Sequence, residues 1–164
     1  MTTTLFTNAH IATGEPGSTA ASTLPLQDIL VTDGVFTAFG PGLAQQYEAQ
    51  GGDPAAIEVV DLGGKLVCPP FCDTHLHLDY VFTARKPGAV NESGTLFEGI
   101  QRWSETKSDL TVDEIKQRAK IGIKKEMLHG VQLIRSHADV TDPNLTSLKA
   151  LLELKEELKD TVTL

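Results

Sequence analysis

The spacing of hydrophobic residues changes near the middle of the chain. In residues 1–64, short β-branched and aromatic runs alternate with turn residues, which predicts the short strands of a small β layer. These runs cover residues 28–32, 35–39 and 57–61. Asp33-Gly34 separates the first two runs and predicts a hairpin with a type I′ turn, because both central residues of that turn need positive φ. A loop is expected over residues 40–54, with one helical turn around residues 43–47.

From Lys65 onward, strand patterns alternate with helix patterns. The predicted elements are a buried strand at 66–73, helices at 96–106 and 112–129, a strand at 131–140, a helix beginning near Pro143 and a strand beginning at Thr161. The order β-α-α-β-α-β implies parallel strands joined by right-handed crossovers.

The helix predicted at 112–129 has clear start and stop signals. Thr111 and Glu114 form a capping-box pattern at its start, and Gly130 suits the residue just after its end. Ile115, Ala119, Ile123 and Met127 recur at intervals of four and predict one buried stripe.

Charge divides the chain at the same place as the hydrophobic pattern. The first 64 residues contain seven acidic and no basic residues, whereas the remainder carries 14 basic against 15 acidic residues. We therefore predict a boundary between residues 64 and 65. The 164 residues are too few for a complete (β/α)₈ barrel, which needs roughly 200 to more than 400 residues.

Composition also limits the partners and the compartment. The net charge of −8 argues against a nucleic-acid footprint, which would need a basic stripe. The chain has no apolar run of the roughly 18 residues that a membrane span requires, and its start does not resemble a signal peptide. We expect a cytoplasmic protein that acts on a small molecule and binds neither nucleic acid nor membrane.

Two cysteines, Cys68 and Cys72, lie in an apolar stretch. We interpret them as buried, reduced packing residues, because a disulfide would need an oxidising compartment and a zinc knuckle would need a second pair of ligands nearby.

A histidine pair gives the strongest chemical signal. If the predicted strand continues through residue 79, Asp73, His75, His77 and Asp79 share one face. Two imidazoles on one face can bind one metal ion together, and histidine favours zinc or divalent iron over calcium or magnesium. A His-x-His pair also occurs often without a metal, as part of ordinary structure.

The strand predicted at 131–140 carries a second polar set. Arg135, His137 and Asp139 share one face, although a central parallel strand is normally apolar. They form either a structural network or part of the shell around a metal, with His137 and Asp139 orienting its ligands by hydrogen bonds.

Three segments together resemble the amidohydrolase superfamily. Residues 67–79 (VCPPFCDTHLHLD) resemble its P-P-F-x-x-x-H-x-H-L-D signature on the first barrel strand. Residues 93–103 (SGTLFEGIQRW) resemble the segment that follows this strand in bacterial cytosine deaminases, and residues 135–140 (RSHADV) resemble R-T-H-x-D-V of their second strand. The resemblance is weaker in residues 1–64.

The resemblance implies the fold and the cofactor. Residues 1–64 would be N-terminal strands of a small β-sandwich, and residues 65–164 the first two to three strands and helices of an α/β, TIM-like (β/α)₈ barrel, cut off at the third strand. His75 and His77 would bind one divalent iron or zinc ion. The remaining ligands and the acid–base residues would lie beyond Leu164, so the 164-residue chain alone would be inactive, and the complete enzyme would be a homo-oligomer.

The resemblance also implies the reaction: hydrolysis of an exocyclic C–N bond of a pyrimidine such as cytosine, with release of ammonia. Leu96 is the candidate substrate-binding residue, because it could close an apolar pocket over a flat base; residues 93–100 could instead be purely structural. The alternatives are an amidohydrolase acting on another ring, of the isocytosine, triazine or creatinine type, and a noncatalytic fragment or paralogue.

Overall fold

A computed structural model of the chain describes residues 2–12 and 25–164. It is a mixed α/β structure with two compact units, Met1–Pro69 and Pro70–Leu164. Residues 13–24 of the predicted β layer lie outside the described residues. Over the described ranges, no helix combines the length and the apolar composition that crossing a membrane would require.

The N-terminal unit is a five-stranded sheet. Its strands are β1 (Thr3–Ile11), β2 (Leu26–Thr32), β3 (Val35–Gly40), β4 (Glu58–Asp61) and β5 (Leu66–Val67). The order is β3-β2-β1-β4, and β5 also pairs with β1. The β1-β2-β3 pairs are antiparallel, whereas β4 and β5 run parallel to β1. Helix α1 (Leu43–Ala49) and a 3-10 turn at Pro54–Ala56 connect β3 to β4, so the predicted helical turn is slightly longer than expected.

Two local features fix this sheet. The hairpin between β2 and β3 has φ values of 50° at Asp33 and 78° at Gly34, which confirms the predicted turn. The buried carboxylate of Asp28 accepts hydrogen bonds from the backbone N–H groups of Asn8 (3.2 Å) and Leu43 (3.0 Å). Asn8 has a φ of 56° and lies where the register of β1 against β2 shifts. Asp28 therefore stabilises an irregular point of β1 and the start of α1.

The C-terminal unit alternates strands and helices in the predicted order. It contains β6 (Phe71–Leu76), a 3-10 turn at Thr83–Arg85, α2 (Leu96–Lys107), α3 (Val112–Leu128), β7 (Val131–Ser136) and α4 (Thr146–Glu157). Strands β6 and β7 are parallel, and Thr163 forms a further parallel bridge with Leu133. The predicted parallel arrangement is confirmed for these strands.

The prediction of a single buried strand at 66–73 is wrong. Pro69 and Pro70 separate β5 from β6, because proline has no N–H to donate to a strand ladder. The side chains are also more open than expected: Leu66 and Phe71 are exposed, and so are Cys68 and Cys72. The interpretation of the two cysteines as buried packing residues is therefore corrected; both thiols are free and exposed.

Helix α3 supports the core of the C-terminal unit. Both hydrogen bonds of the capping box between Thr111 and Glu114 are present, and Gly130 has the expected positive φ of 86°. Ile115, Ala119 and Ile123 of the predicted stripe are buried, whereas Met127 is only half-buried, at the edge of the core. The largest buried cluster consists of Leu78, Ala119, Ile123, Ile134, Leu151, Leu154 and Val162. Leu78 joins the chain beyond β6 to this core.

The later elements differ in their bounds from the prediction. Strand β7 ends at Ser136, four residues earlier than expected, and α4 begins at Thr146 instead of near Pro143. The carboxylate of Asp142 accepts from the N–H groups of Asn144 and Thr146, which holds the intervening residues in a turn before the helix.

Candidate metal centre

The histidines of the two polar segments meet where β6 and β7 end. Leu76 of β6 pairs with Ser136 of β7, and the N–H of His137 donates to the carbonyl of Leu76 at 2.8 Å. His77 and His137 are therefore the first residues beyond their strands. The carboxyl ends of parallel strands are also where barrel enzymes place their catalytic groups.

His75, His77 and His137 form one cluster. The ring of His137 stacks on that of His75, with centroids 4.2 Å apart, and each lies 5.4 Å from the ring of His77. One nitrogen from each residue can be chosen so that all three lie within 4.8 Å of one another. His75 is exposed, and the other two are half-buried. Three imidazole nitrogens at this spacing can converge on one transition-metal ion.

Two ring nitrogens in this cluster have no hydrogen-bond partner. Nδ1 of His77 and Nδ1 of His137 are shielded from solvent and unpaired within the described residues. Desolvation, then the nearby rings of His75 and His77 and the charge of Arg135, lowers the pKa of His137 from 6.5. Neutral imidazole is the form that binds a metal. The residues therefore fit a divalent cation, with His75, His77 and His137 as the groups that could hold it.

A buried carboxylate lies behind the cluster. Asp79 is fully buried, and its Oδ1 lies 3.5 Å from Nδ1 of His77. Its Oδ2 accepts a 2.7 Å hydrogen bond from the N–H of Asp139, beyond β7. Sequence reasoning placed Asp79 on the histidine face but gave it no role. Its position two residues after His77 was the signal available.

Asp139 faces a different set of partners. Its carboxylate accepts from Nε1 of Trp103 (2.5 Å) and Nζ of Lys107 (3.1 Å), both on α2, and from the N–H and hydroxyl of Thr141. Desolvation raises the pKa of Asp139, but the bonds from Thr141, Trp103 and Lys107 outweigh it and hold the pKa below 3.8. Within the described residues, its carboxylate reaches α2 and Thr141 rather than a histidine.

An apolar cavity of about 310 Å³ lies beside the cluster. Leu96, Ile100 and Trp103 of α2 line it, together with Tyr80 from the segment after β6. The ring of Tyr80 contacts both His77 (centroids 4.7 Å apart) and Trp103 (5.0 Å). Desolvation, followed by the charge of Asp79, raises the pKa of Tyr80 above 10.0, so its phenol is neutral at physiological pH. Tyr80 thus connects the cavity with the histidine cluster.

The segment before Leu96 is held by Glu98. Its carboxylate accepts from the N–H groups of Glu92 (3.1 Å) and Ser93 (2.7 Å), while the hydroxyl of Thr95 caps the N–H of Glu98. The bonds from Ser93, with that from Glu92, lower the pKa of Glu98 from 4.5 to about 2. The Glu98 carboxylate holds the chain before α2, and Thr95 caps the first turn of the helix. Together these bonds fix the position of Leu96 at the cavity.

Comparison with known proteins places this site in a family. Residues 58–153, more than half of the chain, match the profile described as "Amidohydrolase family". The match spans both histidine segments and all of α2 and α3.

Individual relatives agree with the family match. The chain is 35% identical over 107 residues to N-isopropylammelide isopropyl amidohydrolase of Pseudomonas sp. (strain ADP), covering 63% of this chain and 27% of that protein. It is 26% identical over 141 residues to pterin deaminase of Rhizobium rhizogenes, covering 84% of this chain and 30% of that protein.

A solved structure is similar over nearly the whole chain. It is 5-methylcytosine deaminase from Klebsiella pneumoniae liganded with 5-fluorocytosine, with 36% identity and a TM-score of 0.75, covering 96% of this chain and 34% of that one. The chain therefore spans 27%, 30% and 34% of the length of these three proteins.

Proposed function

Because this chain belongs to the amidohydrolase family, we propose that it forms the N-terminal part of a metal-dependent deaminase. The reaction is hydrolysis of an exocyclic C–N bond of a pyrimidine such as cytosine, with release of ammonia. The observation that carries the proposal is the three-histidine cluster beside an apolar cavity. The similarity to 5-methylcytosine deaminase supports the choice of a pyrimidine.

His75 and His77 are the proposed metal ligands. The cluster geometry supports this, because one ring nitrogen of each residue lies within reach of a common ion. His137 was expected only to orient the ligands, yet its ring nitrogen is close enough to serve as a third ligand in this chain. A single divalent zinc or iron ion suits these imidazoles, and when bound it makes water a nucleophile near neutral pH.

The similarity to these relatives also supports a proposed architecture for the chain. Residues 1–64 contribute strands of a β-sandwich, to which β5 (Leu66–Val67) adds by pairing with β1. The rest of residues 65–164 forms the first units of a (β/α)₈ barrel, beginning with β6 and β7. The bridge between Thr163 and Leu133 supports a third parallel strand there. The acid and base that move protons would come from other parts of the enzyme, so we expect the 164-residue chain alone to be inactive and the complete enzyme to be a homo-oligomer.

Leu96 is the proposed contact to the substrate. It is 75% exposed and lines the cavity that Tyr80 joins to the histidine cluster. An apolar side chain at this position can cover one face of a flat ring, which supplies binding without hydrogen bonds. Asp139 and Lys107 lie behind Trp103 and stabilise the cavity wall.

A second candidate is hydrolysis of an exocyclic C–N bond on a triazine-type ring, with release of an amine. The identity of 35% to N-isopropylammelide isopropyl amidohydrolase, over 63% of this chain, favours it. The identity to the pyrimidine deaminase is 36%, with 96% of this chain covered. The apolar cavity is compatible with either ring.

Ammonia release by the complete enzyme tests the proposal. Cytosine, 5-methylcytosine, isocytosine and N-isopropylammelide should be compared at equal concentration, with amine release measured for the last. We expect the highest kcat/KM on a pyrimidine and loss of turnover in His77→Gln. The matched control is His129→Gln, because His129 is exposed at the end of α3 and lies outside the cluster. Preference for N-isopropylammelide would support the second candidate, and turnover unchanged in His77→Gln would contradict both.

A further inference from the structure

We propose that Asp79 is a positioning residue of the histidine cluster. Its carboxylate joins the chain beyond β6 to the chain beyond β7 and sets which nitrogen of His77 is free to bind a metal. The metal-related part of this inference rests on the proposed function, whereas the part that concerns the imidazole itself does not.

The contacts of Asp79 reach both strand ends. Oδ1 accepts from the N–H of Tyr80 at 3.1 Å, and Oδ2 accepts from the N–H of Asp139 at 2.7 Å. Asp139 is separated from Asp79 by 60 positions in the chain. His77 lies two residues before Asp79, and His137 lies two residues before Asp139. A carboxylate that binds both segments therefore fixes the spacing between the two histidines.

The carboxyl group of Asp79 is buried with both oxygens satisfied. Asp79 is 0% exposed, and a buried polar group needs partners, which the N–H groups of Tyr80 and Asp139 supply. Arg118 lies close, but it donates to the backbone carbonyls of Asp79 (3.4 Å) and Val81 (3.1 Å). Oδ1 of Asp79 instead faces Nδ1 of His77 at 3.5 Å. The buried carboxyl group is therefore directed at the cluster.

The chemistry of this contact selects one tautomer of His77. Oδ1 and Oδ2 of Asp79 both accept backbone N–H bonds, so the carboxyl group faces His77 as an acceptor and favours a proton on Nδ1 of the ring. The separation of 3.5 Å is longer than an ordinary N–H···O bond, so the facing oxygen orients the ring through a weak electrostatic contact. With the proton on Nδ1, the lone pair is on Nε2. Such a carboxylate behind a histidine orients a metal ligand in many metal sites.

The tautomer can be measured without any metal. The protein is labelled with ¹⁵N at histidine, stripped of metal and examined by long-range ¹H–¹⁵N correlation at about pH 8, which is above the pKa of the free imidazole side chain. A sample of His77→Gln assigns the signal. We expect His77 to carry its proton on Nδ1. A proton on Nε2 would overturn the inference, whatever the protein does with metals.

A matched pair of variants tests the consequence for binding. Asp79→Asn replaces the acceptor near His77 with an amide of the same shape. Asp28→Asn makes the same change at another buried carboxylate that accepts from two backbone N–H groups, but whose partners Asn8 and Leu43 lie in the N-terminal unit. We expect Asp79→Asn to weaken Zn²⁺ binding by about 10- to 100-fold and to shift His77 away from the Nδ1–H tautomer, with zinc affinity and tautomer unchanged in Asp28→Asn.

The outcomes separate the two proposals. Equal zinc affinity in the wild type and Asp79→Asn, or equal losses in both variants, would overturn the positioning role. If the wild type binds no zinc, the proposed function fails and the tautomer of His77 alone decides the inference. If Asp79→Asn does not fold, the wild-type tautomer again gives the decision.

Discussion

The indole Nε1 of Trp103 donates a 2.5 Å hydrogen bond to Oδ2 of Asp139. This bond ties α2, which lines the cavity, to the segment that follows β7 and carries His137. The ring of Trp103 also contacts Tyr80, which in turn contacts His77. The proposed substrate cavity and the proposed metal ligands therefore share one support.

The first prediction concerns the energy of this bond. In a double-mutant cycle of Trp103→Phe and Asp139→Asn, we expect a coupling free energy of about 0.5 to 3 kcal/mol, because the bond has a charged acceptor whose side chain is only 15% exposed. Urea unfolding of the four proteins gives the value. Additive single effects would mean that the bond contributes nothing to stability.

The second prediction is a pH dependence at the start of α2. Hydrogen bonds lower the pKa of Glu98 to about 2, below its unfolded value of 4.5. Its contribution to stability is therefore fully present above pH 4.5 and is lost as the pH falls toward 2. Thermal unfolding from pH 6 to pH 2.5 should show the wild type more stable than Glu98→Gln at pH 6, with the difference shrinking as the pH falls. A difference independent of pH would contradict this assignment.

The third prediction separates Leu96 from other exposed leucines. Leu96→Ala should weaken substrate binding or turnover in the complete enzyme, because it removes a wall of the cavity. Leu128→Ala is the matched control, since Leu128 is 74% exposed against 75% for Leu96 and lies at the end of α3. Steady-state kinetics provide the comparison. If KM and kcat are unchanged in Leu96→Ala, the substrate contact is wrong.

The fourth prediction tests the core beneath the site. Ile123 is 2% exposed and packs in the cluster that contains Leu78, so Ile123→Ala should lower the free energy of unfolding by about 2 to 5 kcal/mol. Ile121, on the same helix, is 53% exposed, and Ile121→Ala should cost less than about 1 kcal/mol. Chemical denaturation measures both, and similar losses in the two variants would disagree with the assigned face of α3.

Features set by neighbouring residues could be predicted from the sequence. The capping box of Thr111 and Glu114, the turn at Asp33-Gly34 and the left-handed Gly130 each depend on a few consecutive residues. All three are present as predicted, because their hydrogen bonds and backbone angles are local. The histidine pair could be found in the same way, from its spacing and its resemblance to a family signature.

Features set by distant residues could not be predicted. Burial of Cys72 depends on which strands and helices cover β6, which no local pattern contains. The position of His137 in the cluster follows from the register of β6 against β7. It also depends on the end of β7 at Ser136, one residue before His137. The role of Asp79 depends on the N–H of a residue 60 positions away, and was missed for that reason.

Zinc binding by the complete protein decides whether His77 belongs to a metal centre. Wild type, His77→Gln and His129→Gln, purified in parallel and loaded with Zn²⁺, should be compared by metal analysis after gel filtration. We expect one equivalent of zinc in the wild type and in His129→Gln, and a large loss in His77→Gln. Equal zinc in all three proteins, or none in the wild type, would contradict this expectation.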